Sequence, residues 1–347
     1  MSILDRLTGH RDRSSTGGPK PEIAQQKVLD TLQNDLHVKP LETLTPEEAR
    51  RQPSPADAVK KILAGSIDKP DPSLGIVTRD FTIPGAAGEI PARLYGPENK
   101  GIEDGRLLPV VVYWHGGGWV IADIDTYDAS ARAISSLADC IVVSCHYRQA
   151  PEHRFPAAHE DAFTAYRWVL ENAQQFGGDP QKIAVMGESA GGNLAANVAI
   201  MARDQGVRAP IHQVLVYPVA GNDMSDESYR ENADARPLGK AGMEWFVRHV
   251  FRDPAETADT RINLVEADLR NLPSATVINA EIDPLRSGGE LLAERLERAG
   301  VAVRQKTFHG VTHEFFGMAP VVPDATAAQQ FAAHDLKQAF DAARRPM

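Results

Sequence analysis

The sequence of 347 residues contains only two cysteines and no long apolar run. Cys140 and Cys145 are five residues apart, on or beside one predicted strand, where they would face opposite sides and be too distant for a disulfide. No stretch approaches the roughly 18 apolar residues of a membrane-spanning helix, and residues 1–20 lack the apolar region of a secretion signal. We therefore expect a cytoplasmic protein with no membrane partner.

Basic residues are fewer than acidic ones, 37 against 47, and the formal net charge is −10 at pH 7. A surface of this sign repels nucleic acids and anionic membranes. A recognisable metal motif is also missing, because the histidines and carboxylates that lie closest together form no HExxH or comparable ligand pair: His146, His153, His159, Glu160 and Asp161. We expect no nucleic-acid partner, no bound metal and no cofactor.

The most informative feature that the sequence does contain is Gly187-Glu188-Ser189-Ala190-Gly191, a Gly-x-Ser-x-Gly pattern. The apolar run at 182–186 predicts a strand before it, and the small residues at 193–201 predict a helix after it. In such a turn the serine is exposed, because the glycines keep side chains away where strand, helix and substrate meet. The pattern predicts that Ser189 is the nucleophile of a serine hydrolase.

A second motif, His115-Gly116-Gly117-Gly118-Trp119, directly follows an apolar strand predicted at 110–114. Consecutive glycines let backbone amides point to one spot, where they can stabilise the oxyanion of a tetrahedral intermediate. A plain strand-to-loop turn is the alternative. A glycine loop of this kind together with a nucleophilic serine is typical of lipases and esterases.

A serine nucleophile needs a base to take its proton and an acid to orient that base. In hydrolases of this design both follow the serine, on loops after later strands. Asp283 follows an apolar strand predicted at 275–280, and His313 follows an alternating strand predicted at 301–307. We take these two residues as acid and base, with His309 as the competing base.

These motifs together resemble the hormone-sensitive-lipase-like (bacterial family IV) esterases of the α/β-hydrolase superfamily, over roughly residues 75–345. The similar segments occur in the family's order: HGGGW at 115–119, HYRQAPEHRFPAA at 146–158, GESAGGN at 187–193, DPLR at 283–286 and HEFFGM at 313–318. The resemblance decides for His313 over His309 as the base.

The resemblance also assigns roles to residues. It implies a catalytic triad of Ser189, Asp283 and His313. It implies an oxyanion hole formed by the amides of Gly117, Gly118 and Ala190, with Gly116 as a further candidate. We expect the substrate pocket to include Trp119, Glu188, Tyr217, Trp245 and Phe246. For Trp245 and Phe246, a place in the core of a cap helix is the alternative.

Three residues depart from the family pattern. Glu188 stands where the family has Asp or Thr, Glu314 where it has Gly, and Ser287 where it has Asp. None of these changes removes a catalytic atom. Two carboxylates beside the serine and histidine would stabilise the imidazolium, so we expect them to raise the pKa of His313.

Strands and helices alternate after a hairpin predicted at 79–94, which indicates an α/β fold with a mostly parallel central sheet and helices on both faces. We interpret this as the α/β-hydrolase fold with a helical cap. The expected divisions are a flexible tail at 1–20, N-terminal cap helices at 21–70, a hydrolase core at 71–218 and 273–347, and a cap insertion at 219–272.

Two local patterns characterise the N-terminal segment. One helical face is predicted from apolar spacing: Ile23, Val28, Leu29, Leu32 and Leu36. Thr45-Pro46-Glu47-Glu48 has the N-cap, proline and glutamate of a helix start. The resemblance places this segment against the insertion, over the active site.

The function implied is hydrolysis of short- to medium-chain acyl esters through a Ser-His-Asp acyl-enzyme mechanism. Hydrolysis of amides or formamides, or acyl transfer, by the same triad is one alternative. A binding protein that has kept the fold without catalysis is another. The expected partner is a small-molecule ester, and a homodimer is an arrangement that the sequence allows.

Overall fold

The computed structural model describes residues 19–66, 74–97 and 107–343. Most of the predicted tail, at 1–18, lies outside the described residues, as do 67–73, 98–106 and 344–347. The described helices are α1 (Ile23–Asp30), α2 (Pro46–Arg51), α3 (Pro55–Ala64), α4 (Asp128–Ala138), α5 (Ala157–Asn172), α6 (Ala190–Asp204), α7 (Glu227–Glu231), α8 (Lys240–Val250), α9 (Arg286–Arg298) and α10 (Pro323–Ala342). The described strands are β1 (Ile76–Gly85), β2 (Gly88–Pro97), β3 (Leu108–Trp114), β4 (Ile141–Cys145), β5 (Gly178–Glu188), β6 (His212–Val216), β7 (Ser274–Ile282) and β8 (Val303–Thr312).

The strands form one eight-stranded sheet in the order β1-β2-β4-β3-β5-β6-β7-β8. The β1–β2 hairpin joins β4 in antiparallel pairing, and all further pairs are parallel. Every residue of β3 is buried, as expected of a parallel strand covered on both faces. Because parallel strands end at the same edge, the loops after β3, β5, β7 and β8 meet there.

Helices cover both faces, which confirms the predicted α/β architecture. Helices α5, α6 and α9 pack on one face with Val110 and Val112, and α4 and α10 pack on the other with Val111 and Tyr113. Burying each such aliphatic side chain contributes about 1.5–3 kcal/mol. The two cysteines are free, and they lie in the cores of opposite faces as the strand period predicted.

One residue predicted on the buried face of the N-terminal helix is exposed. Helix α1 continues as a π-helical turn over Thr31–Asp35 and buries Gln25, Val28 and Leu32. Ile23 was predicted on this face, but its side chain is 92% exposed. The reason is angular, since five residues at about 100° each place Ile23 about 140° from Val28 around the helix axis.

The N-terminal segment packs against both the core and the insertion. Helix α1 contacts α3 and β8, and α3 contacts the 3₁₀ turn at Phe315–Met318, so both helices lie against the core. The turn at Leu41–Thr43 lies against α8 of the insertion. The Trp245 indole N–H donates to Leu44 O at 2.8 Å and joins the two segments.

The predicted helix start at Thr45 is confirmed. The Thr45 side chain accepts from the Glu48 amide at 3.2 Å, and the Glu48 carboxylate accepts from the Thr45 amide at 2.9 Å. This reciprocal capping begins α2, and Ser54 and Asp57 begin α3 in the same way. Among the helices described, none combines the length and apolar character needed to cross a bilayer.

Candidate active site

Ser189 occupies a strained turn between β5 and α6. Its φ of 56° and ψ of −116° lie in a region that side chains rarely adopt. A Cβ on Gly187 would lie 2.1 Å from Gly191 O, and a Cβ on Gly191 would lie 2.0 Å from Trp114 O. Only glycine fits at either position, so the spacing of the motif is dictated by backbone contact.

The structure brings Ser189, His313 and Asp283 together at the carboxyl edge of the sheet. His313 Nε2 lies 3.0 Å from Ser189 Oγ, and His313 Nδ1 lies 2.6 Å from Asp283 Oδ2. Asp283 Oδ1 accepts from the Leu285 amide at 2.9 Å, which orients the carboxylate. With Nδ1–H donating to Asp283, Nε2 is free to accept the serine proton.

The competing base His309 and the histidines considered for a metal site lie elsewhere. His309 is within β8, which extends to Thr312 and beyond its predicted end, and its side chain is 78% exposed with Nδ1 3.2 Å from Glu281 Oε1. His146 pairs with His115 at 2.9 Å, and His159 Nε2 lies 2.9 Å from Asn193 Oδ1. Within the described ranges, no three His, Cys, Asp or Glu side chains form a metal-binding group.

The glycine loop turns beside Ser189. Gly117 and Gly118 have φ values of 90° and 56°, in the left-handed region that glycine tolerates. Both line the cavity above the serine. No described residue accepts a hydrogen bond from the amides of Gly117, Gly118 or Ala190, so these donors are available to a ligand. Gly116 instead uses its carbonyl to accept from the Tyr147 hydroxyl at 2.9 Å.

The two carboxylates that depart from the family pattern are both held by tyrosines. Glu188 is fully buried and accepts from the Tyr113 hydroxyl at 2.6 Å and from the Tyr217 hydroxyl. Glu314 accepts from the Tyr127 hydroxyl at 2.6 Å and lies 4.0 Å from His313 Nε2. Burial raises the pKa of Glu188 to about 7 and also raises the pKa of Glu314.

The pKa of His313 is raised above its ordinary value, as predicted from the sequence. Burial alone lowers this pKa, because the imidazolium loses hydration. The opposing effect of Asp283, followed by those of Glu314 and Glu188, outweighs burial. Glu188 and Glu314 therefore both raise the pKa of His313, as predicted.

A cavity of about 730 Å³ opens above Ser189 and His313. Of the five predicted pocket residues, Trp119 and Phe246 line it. The other three are not among the residues that line it. Glu188 is fully buried, Tyr217 packs its ring against His313, and the Trp245 indole donates to Leu44 O. Their places depend on long-range packing that the local sequence does not encode.

Sequence reasoning missed several cavity residues. From α8 these are Met243, Val247 and Val250, which share a face with Phe246. Their positions follow helical spacing of three and four, which could have identified them. Tyr229 and Ile282 also line the cavity, and no local pattern marks them. Glu314, which the sequence marked as a carboxylate beside the histidine, lines it as well.

The fold and this site define a serine hydrolase with a strained nucleophile turn. The sequence profile described as alpha/beta hydrolase fold matches residues 111–317, a range that includes Ser189, Asp283 and His313. The chain belongs to this family.

Proteins named as esterases or ester hydrolases are similar to this chain in sequence and structure. The chain is 43% identical to carboxylesterase NlhH of Mycobacterium tuberculosis over 258 residues, covering 73% of this chain and 80% of that protein. It is 34% identical to an ethyl acetate hydrolase of Pseudomonas putida over 311 residues, covering 88% and 94%. The solved hyperthermophilic esterase from the archaeon Pyrobaculum calidifontis is similar with a TM-score of 0.81 and 37% identity, covering 92% and 98%. The predicted membership of the hormone-sensitive-lipase-like esterases is confirmed.

Proposed function

We propose that this protein hydrolyses short- to medium-chain carboxylic esters through a Ser-His-Asp acyl-enzyme mechanism. The observation that carries the proposal is the hydrogen-bonded chain from Ser189 Oγ through His313 to Asp283, with distances of 3.0 and 2.6 Å. Relatives named carboxylesterase and esterase support the reaction class.

Acylation begins when Ser189 Oγ attacks the ester carbonyl while His313 Nε2 takes its proton. Asp283 stabilises the imidazolium, and the amides of Gly117, Gly118 and Ala190 donate to the oxyanion. Collapse of the tetrahedral intermediate breaks the bond to the alcohol oxygen, which takes the proton from His313. Water then attacks the acyl-enzyme while His313 takes its proton. Collapse of this second intermediate releases the acid by breaking the bond to Ser189 Oγ, which takes the proton back from His313.

The cavity supports the proposed size of substrate. Its volume of about 730 Å³ is within the usual range for small-molecule sites, and its lining includes the apolar side chains of Phe246, Val247 and Ile282. We propose acyl chains of roughly two to eight carbons, since an extended apolar surface for lipid aggregates is not expected on such a protein. Residues from 39–55 and 221–251 both line the cavity, which supports a cap formed by these two segments.

A panel of p-nitrophenyl esters of increasing acyl length, assayed beside matched anilides, tests the proposal. We expect turnover of the short and medium esters, little turnover of anilides, and covalent labelling by a fluorophosphonate probe that Ser189→Ala abolishes. A preference for anilides would reassign the protein to amide hydrolysis, and transfer to added alcohols in preference to water would reassign it to acyl transfer. Absence of labelling would favour the non-catalytic binding protein.

A further inference from the structure

Arg50, in helix α2 of the N-terminal segment, forms hydrogen bonds with two buried backbone segments beside the glycine loop. Its Nε donates to Val120 O at 2.8 Å, and its Nη2 donates to Ala150 O at 2.7 Å. Val120 and Ala150 are themselves almost completely buried. No other donor to either carbonyl occurs among the residues described, so each depends on Arg50 to satisfy its hydrogen-bonding capacity.

The same two residues, Val120 and Ala150, also donate the backbone hydrogen bonds that close the glycine loop. Gly117 O accepts from the Val120 amide at 3.0 Å, and Trp119 O accepts from the Ala150 amide at 2.8 Å. The loop residues Gly117, Gly118 and Trp119 all have positive φ, so their conformation needs support from outside the loop. Arg50 supplies that support from a segment about 70 residues earlier in the chain.

The guanidinium is itself held in place. Its Nη1 and Nη2 donate to the two oxygens of Glu152 at 2.9 and 2.7 Å, a bidentate pairing. These hydrogen bonds from Arg50 lower the pKa of Glu152 to about 2. Glu152 follows Ala150 by two residues, so the guanidinium is anchored on the loop after β4, whose Ala150 amide donates to Trp119 O.

We propose that Arg50 is a positioning residue for the oxyanion hole, and that the N-terminal segment thereby orders the glycine loop instead of only covering the site. This inference rests on the proposed function for its catalytic consequence. Arg50 lines the cavity, but its hydrogen bonds go to Val120, Ala150 and Glu152 and not to the triad. It acts through Val120 and Ala150 on the amides of Gly117 and Gly118.

Helix α2 contains a matched control. Arg51 is the next residue and forms an ion pair with Glu47, but its side chain is 66% exposed against 29% for Arg50. Arg51→Gln removes the same charge from the same helix without touching the loop. Glu152→Gln keeps an oxygen acceptor and removes the anchoring charge, so it tests the same support without altering α2.

The experiment compares the full-length chain with Arg50→Gln, Arg50→Lys, Arg51→Gln and Glu152→Gln. Hydrogen exchange of residues 115–122, followed by mass spectrometry, reports loop order without reference to catalysis. Steady-state kinetics on a p-nitrophenyl ester separate kcat from KM. Melting temperature identifies any variant that loses its fold.

We expect Arg50→Gln to speed hydrogen exchange at 115–122 and to lower kcat about tenfold, with KM nearly unchanged. This loss in kcat is smaller than the roughly 10²–10³ lost when an oxyanion donor itself is removed. Arg50→Lys should recover only part of kcat, because one ammonium cannot reach both carbonyls and Glu152 in this geometry. Arg51→Gln should match wild type, and Glu152→Gln should lie between.

Wild-type exchange at 115–122 in folded Arg50→Gln would overturn the proposal, whether or not the protein hydrolyses esters. A raised KM with wild-type kcat would also overturn it, since that pattern indicates direct substrate binding by Arg50. If Arg50→Gln does not fold, Glu152→Gln decides, and wild-type exchange and kcat in that variant would count against the inference. Failure of the proposed function alone would appear differently, as an inactive wild type in which the exchange effect persists.

Discussion

The ring of Tyr217 packs against the imidazole of His313 with centroids 4.6 Å apart, and its hydroxyl donates to the buried carboxylate of Glu188. Glu188 is the residue directly before Ser189 in the chain. The proposed base and nucleophile are therefore connected by a second route, apart from their own hydrogen bond. Tyr217 and Glu188 do not line the substrate cavity, but they support the two residues that do.

Tyr217→Phe should lower the free energy of unfolding by about 1.5–3 kcal/mol at pH 8, because Glu188 loses a hydrogen bond to its charged form. Burial raises the pKa of Glu188 from 4.5 to about 7, so the folded protein keeps a proton that the unfolded chain has lost between these values. The contribution of Glu188 to the free energy of unfolding therefore falls as the pH rises from 4.5 to about 7. Tyr217→Phe should raise the pKa of Glu188 in the folded protein further. Its loss of unfolding free energy should therefore be smaller at pH 5, where Glu188 is protonated in the folded protein. Urea unfolding at pH 5 and 8 measures this, and a deficit that does not change with pH would contradict it.

Ser189→Ala should abolish ester hydrolysis and leave the fold intact, because alanine removes only the hydroxyl from the turn. Circular dichroism and the melting temperature check the fold, and p-nitrophenyl acetate checks activity. Turnover near the wild-type rate by a folded variant would end the proposed mechanism.

His313→Ala should lose at least about a thousandfold in kcat, because members of a triad act as a unit. His309→Ala is the matched control, since that histidine pairs with Glu281 on the surface. It should keep wild-type kinetics. The reverse result, an active His313 variant and an inactive His309 variant, would reassign the base.

The rate should rise with pH through a pKa above about 6.5, because His313 must be neutral to accept the serine proton. Glu314 and Glu188 each help to raise the pKa of His313. Glu314→Gln and Glu188→Gln should therefore each shift the rising limb of kcat/KM to lower pH. The double variant should shift it most, and an unchanged profile there would show that neither carboxylate acts on the imidazole.

Removal of residues 1–65 should reduce solubility and activity. The deletion uncovers the core surface against which Val28, Leu32 and Ala58 pack, and it removes Arg50 from the glycine loop. Removal of residues 1–18, most of the tail that the sequence predicts to be flexible, is the control. Size-exclusion chromatography and ester hydrolysis check both. Wild-type kinetics and solubility in the longer deletion would exclude a role for this segment at the site.

Features set by neighbouring residues could be read from the sequence alone. The turn at Ser189 depends on glycines two residues to either side, the start of α2 depends on Thr45 and Glu48, and the alternation of apolar runs indicates the parallel sheet. In each case the physical cause, whether backbone clash, capping or periodicity, acts over a few residues. The order of motifs added the acid and the base, since parallel strands bring their ends to one edge.

Tertiary structure decided which neighbours individual side chains meet. Trp245 and Phe246 are adjacent in α8, and helix geometry points them about 100° apart. The packing of α8 in the folded chain is what brings Phe246 to the cavity and Trp245 to Leu44. Ile23 is exposed and Gln25 is buried, because the packing of α1 against the core buries the face that contains Gln25 and Val28. The hydrogen bonds from Arg50 to Val120 and Ala150 join segments 70 and 100 residues apart, and a contact at that separation depends on how the whole chain folds and leaves no periodic or local signal.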